Sequence, residues 1–234
     1  MSGTGMRAER SDAGTVTPTE RDREVLQFIG DHGGLRYDLL ALVLGRHDSA
    51  QRSARAAYTW RARMERLALI GRLQVRGDQW LVLTRAGMRE AAVPWELPGA
   101  PTDLLAQHTT TAILLRLWLE RRHPGSVWVS ERTFRSEQRT TGARFRAPDG
   151  ALQLPGHGLA GVEVELNLKR TREYQQILAE QHASLDAVWW FACDAPGLER
   201  RFTLCDRPAR PTHTVHPLPP EVWPPIPIGG RWRL

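Results

Sequence analysis

Gly161-Val162-Glu163-Val164-Glu165-Leu166-Asn167-Leu168-Lys169 alternates between apolar and polar side chains. A period of two belongs to a β-strand, so the stretch predicts a strand with Val162, Val164, Leu166 and Leu168 on its buried face. The other face lines up Glu163, Glu165, Asn167 and Lys169. A further acid stands upstream in Pro148-Asp149-Gly150, at the lip of an earlier apolar segment. Divalent cations take several oxygen ligands held on rigid elements. Asp149, Glu163 and Glu165 are therefore candidate metal ligands, with Lys169 beside them to hold a water or a phosphate oxygen. The plain alternative is an amphipathic strand whose glutamates face water. Lys169 weighs against it, because it is the only lysine among 32 basic residues. A lysine kept where arginine is otherwise used suggests a need for a compact ammonium of adjustable pKa.

Around that strand the pattern predicts a folded module. Leu104 to Glu120 has helical periodicity, with Leu105, Ala112, Leu115 and Leu119 on one side. His108 in that helix reads as a core or capping histidine rather than a ligand. Val127-Trp128-Val129 is a short strand ending in Ser130-Glu131-Arg132, and Ala151 to Leu154 a second strand. After the central strand, Thr171 to Ala183 reads as a helix and Ala187 to Ala192 as a buried strand. Phe202 to Leu204 reads as a last strand. Residues 206–234 are Pro-rich and predict no regular element: either a flexible tail or, the favoured reading, one laid across the body with Trp223 and Trp232 as anchors.

The order helix, three strands, helix, strand, together with Pro148-Asp149, Glu163-Val164-Glu165 and Lys169, resembles the PD-(D/E)XK restriction-endonuclease-like nucleases. The resemblance implies an α-β-β-β-α-β domain over residues 104–205. It implies Mg²⁺ or Mn²⁺ on Asp149, Glu163 and Glu165, and a catalytic set of Asp149, Glu163, Glu165 and Lys169. In that superfamily a lysine stands two residues after the acid. Here Glu165 holds that place after Glu163 and Asn167 holds it after Glu165, while Lys169 comes four residues after Glu165.

Residues 17–92 predict a second module. Thr17-Pro18-Thr19-Glu20 is a helix start, with Thr17 as cap and Glu20 closing a capping box. Val25, Phe28 and Ile29 form its apolar stripe, and His32-Gly33-Gly34 ends it. Tyr37 to Leu44 is a second short helix. A third, capped by Asp48 or Ser49, runs to about Ile70. It puts Ala57, Trp60, Met64 and Leu67 on one face and Arg52, Arg55, Thr59 and Arg66 on another, with Arg63 alongside. Leu73 and Val75, a turn at Gly77-Asp78 and Trp80 to Leu83 read as a hairpin, and Thr84 caps a last helix.

Leu67-Ala68-Leu69-Ile70-Gly71-Arg72 and Trp80-Leu81-Val82-Leu83-Thr84-Arg85-Ala86-Gly87 resemble the wing of winged helix-turn-helix DNA-binding domains. In that family the third helix enters the major groove and the hairpin touches the backbone or minor groove. The resemblance implies that Arg52, Arg55, Thr59, Arg63 and Arg66 face phosphates or base edges, with Arg72 and Arg76 on the wing. As a whole, an α+β or α/β chain with an N-terminal winged helix followed by a nuclease-like domain resembles the replication-relaxation family of plasmid and mobile-element proteins. That resemblance implies plasmid replication or DNA processing.

Composition bounds these readings. With 41% hydrophobic and 25% charged residues, the 234-residue chain is ordinary for a globular protein rather than a disordered one. A net charge of +6 with clustered arginines favours a polyanionic partner, most simply nucleic acid, and the winged-helix resemblance implies that it is double-stranded DNA. No apolar run reaches the roughly 20 residues that span a bilayer. Residues 1–16 are polar and read as a disordered leader rather than a secretory signal, and 93–103, rich in proline, as a stiff linker. Cys193 and Cys205 have neither metal-ligand spacing nor a disulfide framework, so a cytoplasmic protein is the expectation. Three functions stay open: a metal-dependent DNA endonuclease or nickase, a non-catalytic winged-helix regulator or replication accessory with a degenerate nuclease fold, and a purely protein-binding adaptor. A homodimer or a replication-protein partner is compatible with any of them.

Overall fold

The computed structural model describes residues 17–46, 53–93, 100–180, 184–206 and 211–222. Among them the fold is mixed α and β, with eight α-helices and two sheets. Arg52, Asp48, Ser49, Trp223 and Trp232 lie outside the described residues.

The N-terminal module opens with α1 (Glu20–Asp31). Its cap is Thr19 rather than Thr17: Asp22 closes the capping box by accepting the Thr19 N–H at 2.7 Å. A short strand β1 (Leu35–Arg36), a 3₁₀ turn (Tyr37–Leu39) and α2 (Leu40–Leu44) follow. Helix α3 (Ala54–Arg66) is capped by Ser53, whose Oγ accepts the Ala56 N–H. It stops four residues short of the expected Ile70, because Ala68 takes a positive φ of 54° and turns the chain into β2 (Ile70–Val75). Strand β3 (Asp78–Leu83) pairs with β2 through a two-residue turn at Arg76-Gly77, both at positive φ, one residue earlier than the sequence suggests. The sheet order is β1-β3-β2 and the module closes with α4 (Arg85–Glu90).

The second module is a five-stranded sheet of order β4-β5-β6-β7-β8. Helix α5 (Ala106–Arg122) leads to β4 (Val127–Ser130), α6 (Glu131–Thr141), β5 (Gly150–Gln153) and β6 (Leu159–Glu165). Then come α7 (Thr171–Ala179), β7 (Leu185–Ala192), α8 (Ala195–Phe202) and β8 (Thr212–Pro217). Strands β4, β5 and β6 are antiparallel neighbours, whereas β6, β7 and β8 run parallel. The structure corrects two expectations here and adds a helix that the sequence did not suggest. Phe202 ends a helix started by Asp194 capping Gly197, so no strand lies at 202–204. The Pro-rich stretch after 206 supplies β8, whose one proline, Pro217, is its last residue and fits because β8 is an edge strand. Helix α6, with a single buried side chain, Phe134, offers too short an apolar stripe to be read from the sequence.

Both faces of the five-stranded sheet are covered. One apolar cluster joins α1–α4 to α5, Trp128, Leu152, Val162 and Val164, so the two modules share a core. The other packs α7, α8 and Phe134 against Ala151, Val188 and Trp190. Arg116 of α5 fastens the junction. It donates to Asp31 at 2.8 Å and Glu120 at 2.7 Å, and its guanidinium lies 4.2 Å from the centre of the Phe28 ring.

Candidate functional site

The two glutamates of β6 do not face water. Glu163 and Glu165 are 3% and 5% exposed. In register, Glu163 stands beside Trp190, so its side chain shares the face covered by α7 and α8. Alternation in this sheet separates two buried layers, not a wet side from a dry one. The expectation of an acidic face open to solvent is therefore corrected.

The strand also ends at Glu165, short of the predicted Leu168. Asn167 and Lys169 lie in the turn before α7, where the Lys169 N–H donates to the Tyr174 hydroxyl at 3.0 Å. That turn swings Lys169 back so that its ammonium donates to Glu165. On a continued strand the two side chains would stand about 13 Å apart at 3.3 Å per residue.

Glu163 has no such donor. Arg146 approaches with Nε 3.7 Å from Glu163 Oε1, and both atoms are buried without a hydrogen-bond partner. Burial, and then the neighbouring Asp149 charge, push the Glu163 carboxyl up to about 8.

Asp149 precedes β5 and meets β6 beyond the last paired residues, Gly150 and Val162. There the Val164 N–H has lost its strand partner and donates to Asp149 Oδ2 at 2.8 Å. His108 of α5 lies 3.2 Å from the same oxygen and 3.2 Å from the Val164 carbonyl. The Asp149 charge raises His108 to about 9, so an Nε2–H serves both acceptors. Burial works to raise Asp149, but His108, the Val164 N–H and Arg146 outweigh it and hold the carboxyl below its ordinary value. His108 is thus bound to the candidate site, contrary to its reading as a core or capping residue. Nothing in the sequence ties position 108 to position 149; only the packing of α5 on β6 does. Glu131, the first residue of α6, adds an acid whose pKa is raised by burial and by Asp149. His108, Glu131 and Asp149 open into a cleft of about 200 Å³ whose far wall is Asp31, His32 and Gly33 at the end of α1.

The expected metal ligands are therefore neighbours with separate partners: Asp149 with His108, Glu165 with Lys169, Glu163 opposite Arg146. Among the described residues no three of His, Cys, Asp and Glu gather as a set able to hold a metal ion. In this arrangement each carboxylate faces an internal cation, and Glu163 Oε1 stays buried without a hydrogen-bond partner.

The Glu163 shift gives a pH signature. An acid whose folded pKa lies above its unfolded value of about 4.3 contributes its stability below that value and loses it as pH rises toward 8. Glu163→Gln keeps the shape and removes the charge. It is expected to match wild type near pH 5 and to be the more stable protein at pH 9, as read by urea titration at both values. A variant destabilised equally at both would show that the charge of Glu163 is not what burial strains.

The expected nucleic-acid face divides in the structure. Arg55, Thr59 and Arg66 are exposed on the outer side of α3, and Arg76 is exposed at the hairpin tip. Arg63 has an internal partner: it donates to the buried carboxylate of Asp22, which also takes the Trp60 indole N–H at 2.8 Å, and so ties α3 to α1. Arg72, still 55% exposed on β2, is paired with Glu65 at 3.1 Å. A groove of about 500 Å³ beside the start of α1 is lined by Ser53, Arg55 and Thr59.

Scanned against models of protein families, curated proteins and solved structures, the chain matches none. Among the described residues no helix is long and apolar enough to cross a membrane.

Proposed function

We propose that this is a duplex-DNA-binding protein whose N-terminal module is a winged helix and whose second module is a nuclease-like domain in a largely non-catalytic state. The observation that carries the reading is the outer face of α3. Arg55 and Arg66 stand there with no ion-pair partner among the described residues, and the hairpin with Arg76 lies next in the chain. A helix presenting arginines beside a β-hairpin matches the major-groove and backbone contacts of winged helices. The second module keeps the expected helix, three strands, helix and strand once α6, inserted between β4 and β5, and the added α8 and β8 are set aside, which supports the nuclease-like assignment; its carboxylates, each facing an internal cation, support the non-catalytic state. The sequence resemblance to the replication-relaxation family supports a cytoplasmic role in the replication or processing of a plasmid or mobile element.

A second reading is favoured by Glu163 Oε1, buried with no hydrogen-bond partner. Such an atom is where a cation would relieve an unmet charge. On this reading the protein is a Mg²⁺- or Mn²⁺-dependent endonuclease or nickase, with Asp149, Glu163, Glu165 and Lys169 at the site. Supercoiled and linear DNA incubated with either metal, wild type beside Asp149→Ala, decides between the two. The first reading expects intact DNA in every lane and no rise in melting temperature with Mn²⁺. Cleavage by wild type that disappears in Asp149→Ala establishes the second.

A further inference from the structure

Helix α6 presents an outward face that neither reading above uses. Its one buried side chain among the described residues is Phe134, whose ring lies edge-on to Phe145 at 6.4 Å. Arg132, Arg135 and Arg139 follow at spacings of three and four, so they share one face of the helix. Gly142, at a φ of 69°, ends α6, and Gln138 donates to the Phe145 carbonyl, which holds residues 143–145 against the helix end. Arg144 is exposed there. Residues 131–146 carry five arginines against two glutamates, and Arg135 already takes Glu131. Arg139 and Arg144 are exposed with no ion-pair partner among the described residues.

We propose that this face, with Arg135, Arg139 and Arg144, is a second contact for the phosphodiester backbone of duplex DNA, so that the second module grips DNA in its own right. Arg132 turns inward to donate to the Gly30 carbonyl at 3.2 Å, so the exposed stripe runs from Arg135 to Arg139, about 6 Å at 1.5 Å per residue, and continues to Arg144. The arginines repel one another: burial holds Arg132 below its ordinary value, and the charges of Arg139 and Arg135 push the same way against the pull of Asp31. A polyanion removes that repulsion. The helix also starts at Glu131, whose carboxyl feels Asp149 and His108, so a backbone lying along α6 passes the mouth of the cleft.

The partner, duplex DNA, rests on the proposed function; the surface is separate from the α3 face, and the two are tested side by side. The probe is a labelled duplex of about 20 base pairs, titrated with the full chain by fluorescence anisotropy at several salt concentrations. Arg139→Ala/Arg144→Ala is expected to fold with an unchanged melting temperature, to bind about tenfold more weakly, and to show a log–log salt slope smaller by about two. Arg139→Lys/Arg144→Lys keeps both charges and is expected to restore the slope. Wild-type binding by the alanine variant, alongside weakened binding by Arg55→Ala/Arg66→Ala, overturns the α6 surface and leaves the α3 reading standing. Weakened binding by the α6 variant alone supports this surface and removes α3 from the DNA contact. A wild-type chain that does not bind the duplex at low salt overturns both.

Discussion

Arg116→Ala is expected to cost about 3–5 kcal/mol of folding stability, or about 6–20 °C in melting temperature for a chain of this size. The side chain is 8% exposed and meets a carboxylate, Asp31, that is 7% exposed. Removing the guanidinium strands Asp31 in the shared core and also empties the space over the Phe28 and Trp128 rings. The loss depends on pH. Burial already raises Asp31 above its ordinary value, and Arg116 is the main force opposing that rise. Without Arg116 the folded pKa climbs further. A raised acid gives its full stability below the unfolded value of about 3.9 and loses it as pH rises. The deficit of Arg116→Ala is therefore smallest near pH 4 and grows toward pH 8, which urea titrations at the two values measure. Combining Arg116→Met with Asp31→Leu replaces the pair by apolar groups and is expected to recover most of the loss. A single variant as stable as wild type at pH 8 would mean that the junction between the modules does not depend on this pair.

The second large effect concerns DNA. Arg55→Ala/Arg66→Ala is expected to weaken duplex binding about a hundredfold, at about 1.4 kcal/mol for each lost charge-assisted contact. Counterion release predicts a salt slope smaller by about two. Both side chains are exposed and unpaired among the described residues, so the melting temperature should not move. Arg63→Ala separates the roles. Arg63 holds Asp22, which caps α1 and takes the Trp60 indole, so its loss is expected to lower the melting temperature while leaving the salt slope nearly unchanged. A salt slope that falls with Arg63→Ala and not with Arg55→Ala/Arg66→Ala would reverse the division of labour on α3.

Much of the chain's local structure was legible in its sequence. The periodic runs of α1, α3 and α5, the hairpin around Gly77 and the strand at Val162–Val164 follow from apolar spacing and turn chemistry, which act between residues near in sequence. The acids Asp149, Glu163 and Glu165 and the singular Lys169 stood out by type and position, and the structure does bring Lys169 to Glu165. Element ends were less legible. Thr19 rather than Thr17 caps α1, and α3 stops at Arg66 because of the turn at Ala68, where competing local hydrogen bonds decide. Helix α6 and strand β8 escaped because one shows too few apolar residues and the other lies in a Pro-rich stretch. Their formation rests on Phe134 reaching the second core layer and on an edge position in the sheet.

What tertiary structure alone decided is the chemistry of the acids. The same alternation that marks a strand says nothing about whether a second layer covers its polar side. Here α7 and α8 cover it, so Glu163 and Glu165 become buried charges. A buried charge must find a partner or give up its ionisation. Glu165 found Lys169 through a turn, Asp149 found His108 from 41 residues upstream and the open Val164 N–H, and Glu163, facing Arg146 across 3.7 Å without a hydrogen bond, moved its pKa instead. The sequence by itself determined which groups could do chemistry. Which of them are neutralised, and which is left under strain, depended on distances set by residues far apart in the chain.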